Sequence, residues 1–464
     1  MKSMKRDVHL ILGPVIAAGL CCAMLLSGLG WPVAATAGVT LLVAWWWVTE
    51  PISIPATALI PLAAFPLLGI LDSGQAAQSL GSPLVQMMLG GFLLSAAMEK
   101  SGAHRRIALL MVNLFGGSSG RRLVFGFMAA SALLSMWISN SATALMLLPI
   151  AMAVVEQSEN KKFHSALLIG IAYACSIGGI VTPIGTPPNL VFMEVYQQKT
   201  GNEIAFLTWM GIGLPIAIVM LPAVSFWLTR SIKQNVEVRL PSVGQWRPEE
   251  IRTLGIFAAT ILLWISRKQP FGGWSQWTGM TEANDASIAL MGSLAMFLVS
   301  SGTKKQDGSM SRLLDWEAAK NIPWGILILF AGGICIAKAF EQSGLSQLLG
   351  DSFGGLAAVP IFVLVLLICL AITFLTELTS NTATTTLLMP ILAAMALSNQ
   401  IDPLILMVPA TLSASFAFML PVATPPNAIV FGSQRLTVKE MAREGIVLNL
   451  VGAVVISVFC WWRL

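Results

Sequence analysis

Apolar runs of about twenty residues follow one another along the chain, and a short polar triplet interrupts one run in each half. The first triplet is Ser139-Asn140-Ser141, and the second is Ser380-Asn381-Thr382. In both copies a proline lies ten residues after the first serine, at Pro149 and Pro390. A helix break leaves backbone groups without hydrogen-bond partners. At membrane depth such groups are tolerated only where they contact protein or a water-lined cavity. The repetition predicts a duplicated chain whose centre is a pair of helix breaks.

A second polar break also occurs twice, as Thr186-Pro187-Pro188-Asn189 and as Thr424-Pro425-Pro426-Asn427. Proline lacks the N–H that a helix interior needs, and its ring clashes with the preceding turn, so a continuous helix is excluded at both motifs. Each motif nevertheless lies within an apolar segment. The pattern predicts one broken span at about 163–195 and another at about 403–432.

The composition places these elements in a membrane. Of the 464 residues, 56% are hydrophobic and only 11% are charged, and the mean hydropathy is +0.78. A soluble protein of this size needs far more polar surface. Runs of about twenty residues favour helices over a β-barrel, whose strands alternate and cross the membrane in about ten residues. The sequence therefore predicts an all-α polytopic membrane protein.

Basic residues predict the orientation, because loops rich in Lys and Arg stay in the cytoplasm. Arg121-Arg122 and Lys161-Lys162 flank the first triplet on both sides, so the segment at about 122–157 is predicted to be a re-entrant hairpin that enters from the cytoplasm. The stretch 339–434 contains neither Lys nor Arg. The second hairpin, at about 358–399, is therefore predicted to enter from outside.

These orientations predict an inverted-topology repeat, an architecture typical of secondary transporters. The predicted units are an N-terminal span at 1–30, a first repeat at 31–230, a cytoplasmic linker at 231–252 and a second repeat at 253–464. The expected count is eleven transmembrane helices plus two hairpins, with the N-terminus inside and the C-terminus outside. The third span is expected as a single helix at about 54–71.

Charge and cysteine usage exclude several other classes of protein. The net charge is +5, but Lys and Arg lie in short loops that set orientation, so no nucleic-acid partner is expected. The six cysteines have no paired spacing, and the three histidines are far apart in sequence. Neither a disulfide framework nor a metal or haem cluster is indicated.

The hairpin tips offer chemistry to ions of both signs. The second half-helix begins just after each triplet, and its free N–H groups and positive dipole end suit a carboxylate or another small oxyanion. The first half-helix ends there with unpaired carbonyls, which suit a small hard cation. Ser135 and Thr376 lie one turn before the tips, and Gly185 and Ala423 occupy equivalent positions in the two broken spans. A small side chain at the latter positions lets a backbone carbonyl approach an ion.

Coupling to cations follows from what these motifs lack. None of the four contains Lys or Arg. A dianion brought to mid-membrane would meet dipoles and hydroxyls but no fixed positive charge, and its desolvation would be costly. Cations that enter together with the anion offset this cost. The motifs therefore predict cation-coupled symport.

The two triplets, with the stretches Ala414–Phe418, Pro421–Ala423 and Asn427–Val430, resemble the divalent anion:sodium symporter (DASS) family of dicarboxylate, citrate and sulfate carriers. The resemblance covers nearly the whole chain, and it is more specific for the family than for the substrate. It implies a homodimer in which a transport domain, made of the hairpins, the broken spans and their following helices, moves like an elevator against a fixed scaffold.

The resemblance also implies the ion and substrate sites. One sodium ion would lie at Ser135, Ser139, Asn140 and Gly185, and a second at Thr376, Thr379, Asn381 and Ala423. The substrate carboxylates would lie against Ser139, Asn140, Ser141, Ser380, Asn381 and Thr382, with Thr424 and Pro425 nearby. The chain has Ser141 where the family usually has threonine, which leaves substrate choice more open than binding itself.

The predicted function is sodium-coupled import of C4-dicarboxylates such as succinate, malate or fumarate across the bacterial inner membrane. Alternatives within transport are a dicarboxylate exchanger and a citrate or sulfate carrier of the same family. An ion channel would need a continuous polar path, which paired half-breaks do not favour. An enzyme would need a nucleophile or an acid–base pair, and Glu377 beside the second tip does not make one alone. That acid is an ion ligand, a proton carrier or a structural group, and the first copy has Met136 in its place.

Overall fold

A computed structural model describes residues 2–115, 119–232, 244–268, 272–304, 310–352 and 359–464. Within these ranges, 7 helical segments are long and apolar enough to cross a membrane. Further apolar helices are shorter, at 10–17 residues, and among them are Asn140–Val155, Ile361–Thr376 and Pro403–Ala414. Each of these three begins or ends at a polar break, as expected for helices that stop at mid-membrane depth. The chain is thus a multi-pass helical membrane protein.

The helices are numbered in chain order. The first half contains α1 (Lys2–Leu26), α2 (Trp31–Thr49), α3 (Ile54–Thr57), α4 (Leu59–Leu67), α5 (Ser73–Leu80), α6 (Pro83–Ser101), α7 (Ala103–Phe115), α8 (Gly120–Ser135), α9 (Asn140–Val155), α10 (Lys161–Gly179), α11 (Pro187–Thr200) and α12 (Phe206–Thr229). The second half contains α13 (Pro248–Ile265), α14 (Gly273–Trp277), α15 (Asp285–Leu298), β1 (Ser300–Lys304), β2 (Met310–Arg312), α16 (Trp316–Ala319), α17 (Trp324–Ser343), α18 (Leu345–Ser352), α19 (Ile361–Thr376), α20 (Asn381–Ser398), α21 (Pro403–Ala414), α22 (Pro425–Phe431) and α23 (Val438–Arg463).

Two expectations from the sequence are corrected by these bounds. The third span is shorter than expected, because α3 and α4 run from Ile54 to Leu67 with only Ala58 between them and do not continue to residue 71. The fold is also not purely α-helical. Antiparallel strands β1 and β2 form a short ribbon in the loop after α15, outside the apolar spans.

The two hairpins and the two broken spans interlock across the repeats. We refer to α8–α9 and α19–α20 as the first and second hairpins, and to α10–α11 and α21–α22 as the first and second broken spans. The arm α9 packs on α22 of the other repeat, and α20 packs on α11. Within each repeat, α10 packs on α8 and α21 packs on α19. Gly178 of α10 lies directly against the backbone of Ala132 in α8, an approach that any side chain would prevent.

The other long helices form a second group beside this interlocked set. α6 packs against α15, and α13 contacts both of them. α17 packs against α2, α4 and α5, and it also reaches α11 and α20. Residue 358, the first of the predicted second hairpin, and residues 233–243 of the predicted linker lie outside the described residues.

Candidate functional site

All four polar breaks line one cavity of about 1100 Å³. Its lining includes Ser139, Asn140, Ser141, Gly185, Thr186, Thr379, Ser380, Asn381, Thr382, Ala423, Thr424 and Pro425. Two further predicted site residues, Ser135 and Thr376, are fully buried. The fold therefore brings together the groups that the sequence singles out, although Asn140 and Asn381 belong to different halves of the chain.

The first hairpin tip is a capped helix start. Ser139 is the N-cap of α9, and its Oγ accepts a hydrogen bond from Ala142 N at 3.2 Å. Its backbone oxygen accepts from Thr143 N at 3.0 Å. The two preceding N–H groups, of Asn140 and Ser141, stay at the positive end of the helix dipole, and both residues line the cavity. Such a helix start is suited to an anion.

The second tip repeats this construction from the opposite half of the chain. Ser380 is the N-cap of α20, and its Oγ accepts from Ala383 N at 3.5 Å. Its backbone oxygen accepts from Thr384 N at 2.8 Å. The N–H groups of Asn381 and Thr382 remain at the helix start, and both residues line the same cavity. Two helix starts thus converge on one space.

A pair of side-chain oxygens lies behind each tip. Ser135 Oγ donates a hydrogen bond to Asn140 Oδ1, and Thr376 Oγ1 donates to Asn381 Oδ1 at 2.7 Å. Thr379 has no hydroxyl counterpart in the first copy, and its Oγ1 lies 2.6 Å from Thr384 Oγ1. Neutral oxygens held side by side are the ligands that small hard cations prefer.

The asparagine of each Thr-Pro-Pro-Asn motif holds its break closed. Asn189 Nδ2 donates to Gly179 O at 3.0 Å and to Thr182 O at 2.8 Å. Asn427 Nδ2 bridges two carbonyls of the second break in the same way, both at 3.0 Å. Both asparagines are fully buried, so they satisfy backbone groups that lipid cannot satisfy. Their role is to shape the site.

The broken spans offer fewer donors to the cavity than the hairpins do. α11 and α22 each begin with two prolines, which have no N–H at the positions where a helix start normally presents one. Thr424 Oγ1 is also engaged, because it caps α22 by accepting from Asn427 N at 3.3 Å. Thr424 and Pro425 therefore shape the cavity wall more than they supply free donors.

The two breaks differ in how tightly the chain turns. A Cβ added at Gly185 would lie 2.5 Å from Gly179 O, closer than any real contact, so only glycine fits. The equivalent residue of the second break is Ala423, which carries a Cβ and lines the cavity. α10 ends seven residues before Thr186, whereas α21 ends ten residues before Thr424. The second break is thus longer and more open.

The remaining wall of the cavity comes from residues that the sequence analysis did not predict. Glu50, Glu99, Lys100 and Asn321 line it, from the ends of α2 and α6 and from the turn before α17. Lys100 Nζ lies 2.8 Å from Asp315 Oδ2, so its positive charge is already paired. The signal in the sequence was the charged pair Glu99-Lys100 at the end of an apolar span.

Comparison with known proteins identifies the family. A family model described as citrate transporter matches residues 44–411. The sodium-dependent dicarboxylate transporter SdcS of Staphylococcus saprophyticus is 38% identical over 97% of this chain and 89% of that protein. The chain belongs to the divalent anion:sodium symporter family. SdcS of Staphylococcus aureus strain NCTC 8325 is 36% identical to this chain, and the match covers 98% of this chain and 90% of SdcS.

Two solved structures share the fold at low sequence identity. The YdaH transporter of Alcanivorax borkumensis aligns with a TM-score of 0.61 at 14% identity, covering 87% of this chain and 90% of that one. Neisseria gonorrhoeae MtrF, described as one of a class of antimetabolite efflux pumps, aligns with a TM-score of 0.55 at 13% identity, covering 86% and 85%. The expected family is confirmed. This protein is a membrane transporter and not an enzyme.

Proposed function

We propose that this protein imports C4-dicarboxylates such as succinate, malate or fumarate together with sodium ions across the bacterial inner membrane. Its SdcS relatives are named for sodium-dependent dicarboxylate transport. The observation that carries the proposal is the single cavity onto which both hairpin tips and both broken spans open. A small dianion has two carboxylates, and the cavity has two helix starts.

The substrate is held by the tips. One carboxylate accepts hydrogen bonds at the start of α9, from Ser139, Asn140 and Ser141. The other accepts them at the start of α20, from Ser380, Asn381 and Thr382, with Thr424 and Pro425 completing the wall. Anions bind at helix starts because free N–H groups and the dipole act together.

Sodium ions take the oxygens behind the tips. The first ion is held by Ser135, Ser139, Asn140 and the backbone oxygen of Gly185. The second is held by Thr376, Thr379, Asn381 and the backbone oxygen of Ala423. Because Asn140 and Asn381 belong to both an ion site and the substrate site, each bound cation favours binding of the dianion beside it.

Transport proceeds by alternating access. The hairpins, the broken spans, α12 and α23 form the moving domain, and the other long helices form the scaffold of a homodimer embedded in lipid. On the orientation that the basic loops predict, Glu50, Lys100 and Asn321 lie at cytoplasmic helix ends, and all three line the cavity. The cavity thus opens toward the cytoplasm, which is the state that releases substrate and sodium.

Uptake of labelled succinate into proteoliposomes tests the function directly. With an inward sodium gradient, uptake should exceed that seen with potassium or choline at equal ionic strength. Malate and fumarate should compete with succinate. Uptake that is indifferent to sodium but stimulated by internal dicarboxylate would replace symport by exchange.

Citrate is the second candidate substrate, because the matching family model is described as a citrate transporter. The cavity of about 1100 Å³ has room for a tricarboxylate. Labelled citrate belongs in the same vesicles, with sulfate as a third anion. Citrate uptake that is faster than succinate uptake at equal concentration would reassign the substrate without changing the mechanism.

A further inference from the structure

Glu377 is a buried acid in the turn between the two arms of the second hairpin, and only 3% of its surface is exposed. Its Oε1 accepts hydrogen bonds from Met419 N at 2.8 Å and from Asn449 Nδ2 at 2.7 Å. Its Oε2 accepts from Leu420 N at 2.9 Å. The carboxylate thus joins three elements: the second hairpin, the second broken span and α23.

The longer second break explains why an acid is needed at this point. In the first copy α10 continues to Gly179, and the amide of Val181 donates to Gly178 O at 3.0 Å, three residues earlier. In the second copy α21 ends at Ala414, so amides further along the break face the hairpin without helical partners. Buried N–H groups require acceptors. Glu377 supplies two acceptor atoms to them.

The first copy closes the same junction without a charge. Met136 stands where the second copy has Glu377, and its backbone oxygen accepts a hydrogen bond from Thr182 Oγ1. A neutral hydroxyl-to-carbonyl contact therefore suffices in the shorter break. The two halves of the site have similar hairpin tips. They differ in the contact that joins each hairpin to its broken span.

The hydrogen bonds around Glu377 favour its ionised, negatively charged form. Each hydrogen bond that the structure gives it comes from an N–H donor, and such donors stabilise a carboxylate. Across the described ranges, no Lys, Arg or His forms an ion pair with it. Three donors without a counter-cation leave the charge available to act on a nearby ion.

Glu377 is a sequence neighbour of a proposed ligand of the second cation site. Thr376 directly precedes Glu377, and its Oγ1 contacts both Asn381 Oδ1 at 2.7 Å and Ala414 O at 3.0 Å. The amides that Glu377 accepts from lie a few residues before Ala423, whose backbone oxygen is the proposed ligand from the broken span. Glu377 therefore connects the hairpin that carries Thr376 to the broken span that carries Ala423.

We propose that Glu377 is a positioning residue for the second cation site, and that its charge makes this site bind sodium more tightly than the first. The inference rests on the proposed function, because it assumes that sodium binds behind both tips. It implies an order of binding. The second site fills first, and the cation bound there then favours the dianion and the first-site cation.

The sodium dependence of Glu377→Gln tests the inference. Glutamine keeps the shape but removes the charge, and its amide nitrogen would face backbone donors. In proteoliposomes, the sodium concentration for half-maximal succinate uptake should rise by about tenfold or more. At saturating sodium the KM for succinate should stay within about twofold, because the substrate helix starts are untouched.

A binding measurement without transport separates this role from general destabilisation. Sodium chloride, compared with choline chloride, should raise the melting temperature of the detergent-solubilised wild-type protein. The E377Q variant should need about tenfold more sodium for the same shift. Glu377→Asp retains the charge and should recover part of the sodium affinity. Met136→Leu, at the equivalent position of the first copy, should keep the wild-type response.

Two results would overturn the inference. One is an E377Q variant with wild-type half-saturation for sodium. The other is a variant whose uptake falls equally at all sodium concentrations, which is the signature of a structural role alone. Should E377Q not fold, Glu377→Asp carries the test, because its shorter side chain draws the carboxylate back from Met419 N and Leu420 N and should raise the sodium requirement above that of the wild type. A wild-type protein with neither sodium-stimulated uptake nor sodium-dependent stabilisation would instead refute the proposed function.

Discussion

Asn140 and Asn381 each contribute a side-chain oxygen and a backbone N–H to a hairpin tip. The side-chain oxygen of each asparagine is fixed by a hydroxyl one turn earlier in the chain, from Ser135 or Thr376. The backbone N–H of each belongs to the start of the following helix, and both residues line the cavity. Each asparagine thus connects the proposed cation site to the proposed anion site. This connection explains how binding of the cation and of the anion can be coupled.

Replacing either asparagine by alanine should abolish uptake. Asn140→Ala and Asn381→Ala each remove the oxygen that a cation would use. Asn140→Ala also leaves the buried hydroxyl of Ser135 without its acceptor, whereas Thr376 keeps its contact with Ala414 O. Proteoliposome uptake of labelled succinate measures the effect, with Asn399→Ala at the far end of α20 as the control. Size-exclusion elution should remain unchanged in all three variants. Wild-type rates in the tip variants would mean that the triplets only pack helices.

Ser141 is the tip residue expected to tune the choice of substrate. It lines the cavity, and its counterpart Thr382 carries an extra methyl group. Ser141→Thr keeps the hydroxyl, so sodium-dependent uptake should persist, while the added methyl takes space and should raise the KM for the larger citrate relative to that for succinate by about tenfold. One methylene-sized group in a pocket discriminates by about tenfold at the low end. An unchanged ratio would show that this side chain does not contact the substrate.

At the scale of elements, the two broken spans show how a helix can stop inside a membrane. Asn189 and Asn427 satisfy two carbonyls each within their own breaks. Prolines at the start of α11 and α22 remove N–H groups that would otherwise need partners. The asparagines and prolines therefore reduce the number of backbone groups that need partners in the breaks.

Gly185→Ala should disable the first break, whereas Ala423→Gly should be tolerated. The added Cβ at Gly185 would press against Gly179 O at 2.5 Å and force the turn open. Removing the Cβ of Ala423 creates no clash and costs only about 0.5–1 kcal/mol in backbone flexibility. Succinate uptake and thermal melting of both variants check the contrast. Full activity of G185A would show that the tight turn is not required at the first site.

At the scale of the whole molecule, ion pairs join the interlocked set to the other helices on the predicted outer side. Glu203, in the loop after α11, contacts Arg267, and its Oε2 lies 2.6 Å from Lys268 Nζ. Arg267 also pairs with Asp285 at 2.6 Å. Burial raises the pKa of Glu203, but its bonds and charge interactions with Lys268 and Arg267 outweigh that effect and leave the pKa below its ordinary value.

Glu203→Gln should lower the melting temperature by about 1–3 °C, since partly exposed ion pairs stabilise by about 1 kcal/mol or less. The KM for succinate should not change, because Glu203 is outside the cavity lining. The exposed Glu282→Gln is the matched control. Because the pKa of Glu203 is depressed, the difference between wild type and variant should be present above the ordinary glutamate pKa of about 4.3 and vanish as the pH falls through the lowered value. A difference that grows on acidification would contradict this assignment.

The pattern of apolar runs and polar breaks predicted a multi-pass membrane protein and the places where its helices are interrupted. The family, expected from the resemblance of the two triplets and the neighbouring stretches, is confirmed by the family model and the SdcS relatives. These signals are local, because hydropathy, proline and helix capping act within a few residues. The pattern did not predict that the third span ends at Leu67, nor the β1–β2 ribbon. The ribbon forms from loop residues without apolar periodicity, so hydropathy gives no signal for it.

The sequence by itself determined that two polar triplets and two proline breaks interrupt a membrane helix bundle. The reason is that lipid cannot satisfy backbone hydrogen bonds, which restricts the structures that such a chain can adopt. Only the tertiary structure decided that all four breaks share one cavity, that Glu50 and Lys100 complete its wall, and that Glu377 supports the longer break. Those contacts join residues tens to hundreds of positions apart. They arise from how whole helices pack, and no local pattern encodes that packing.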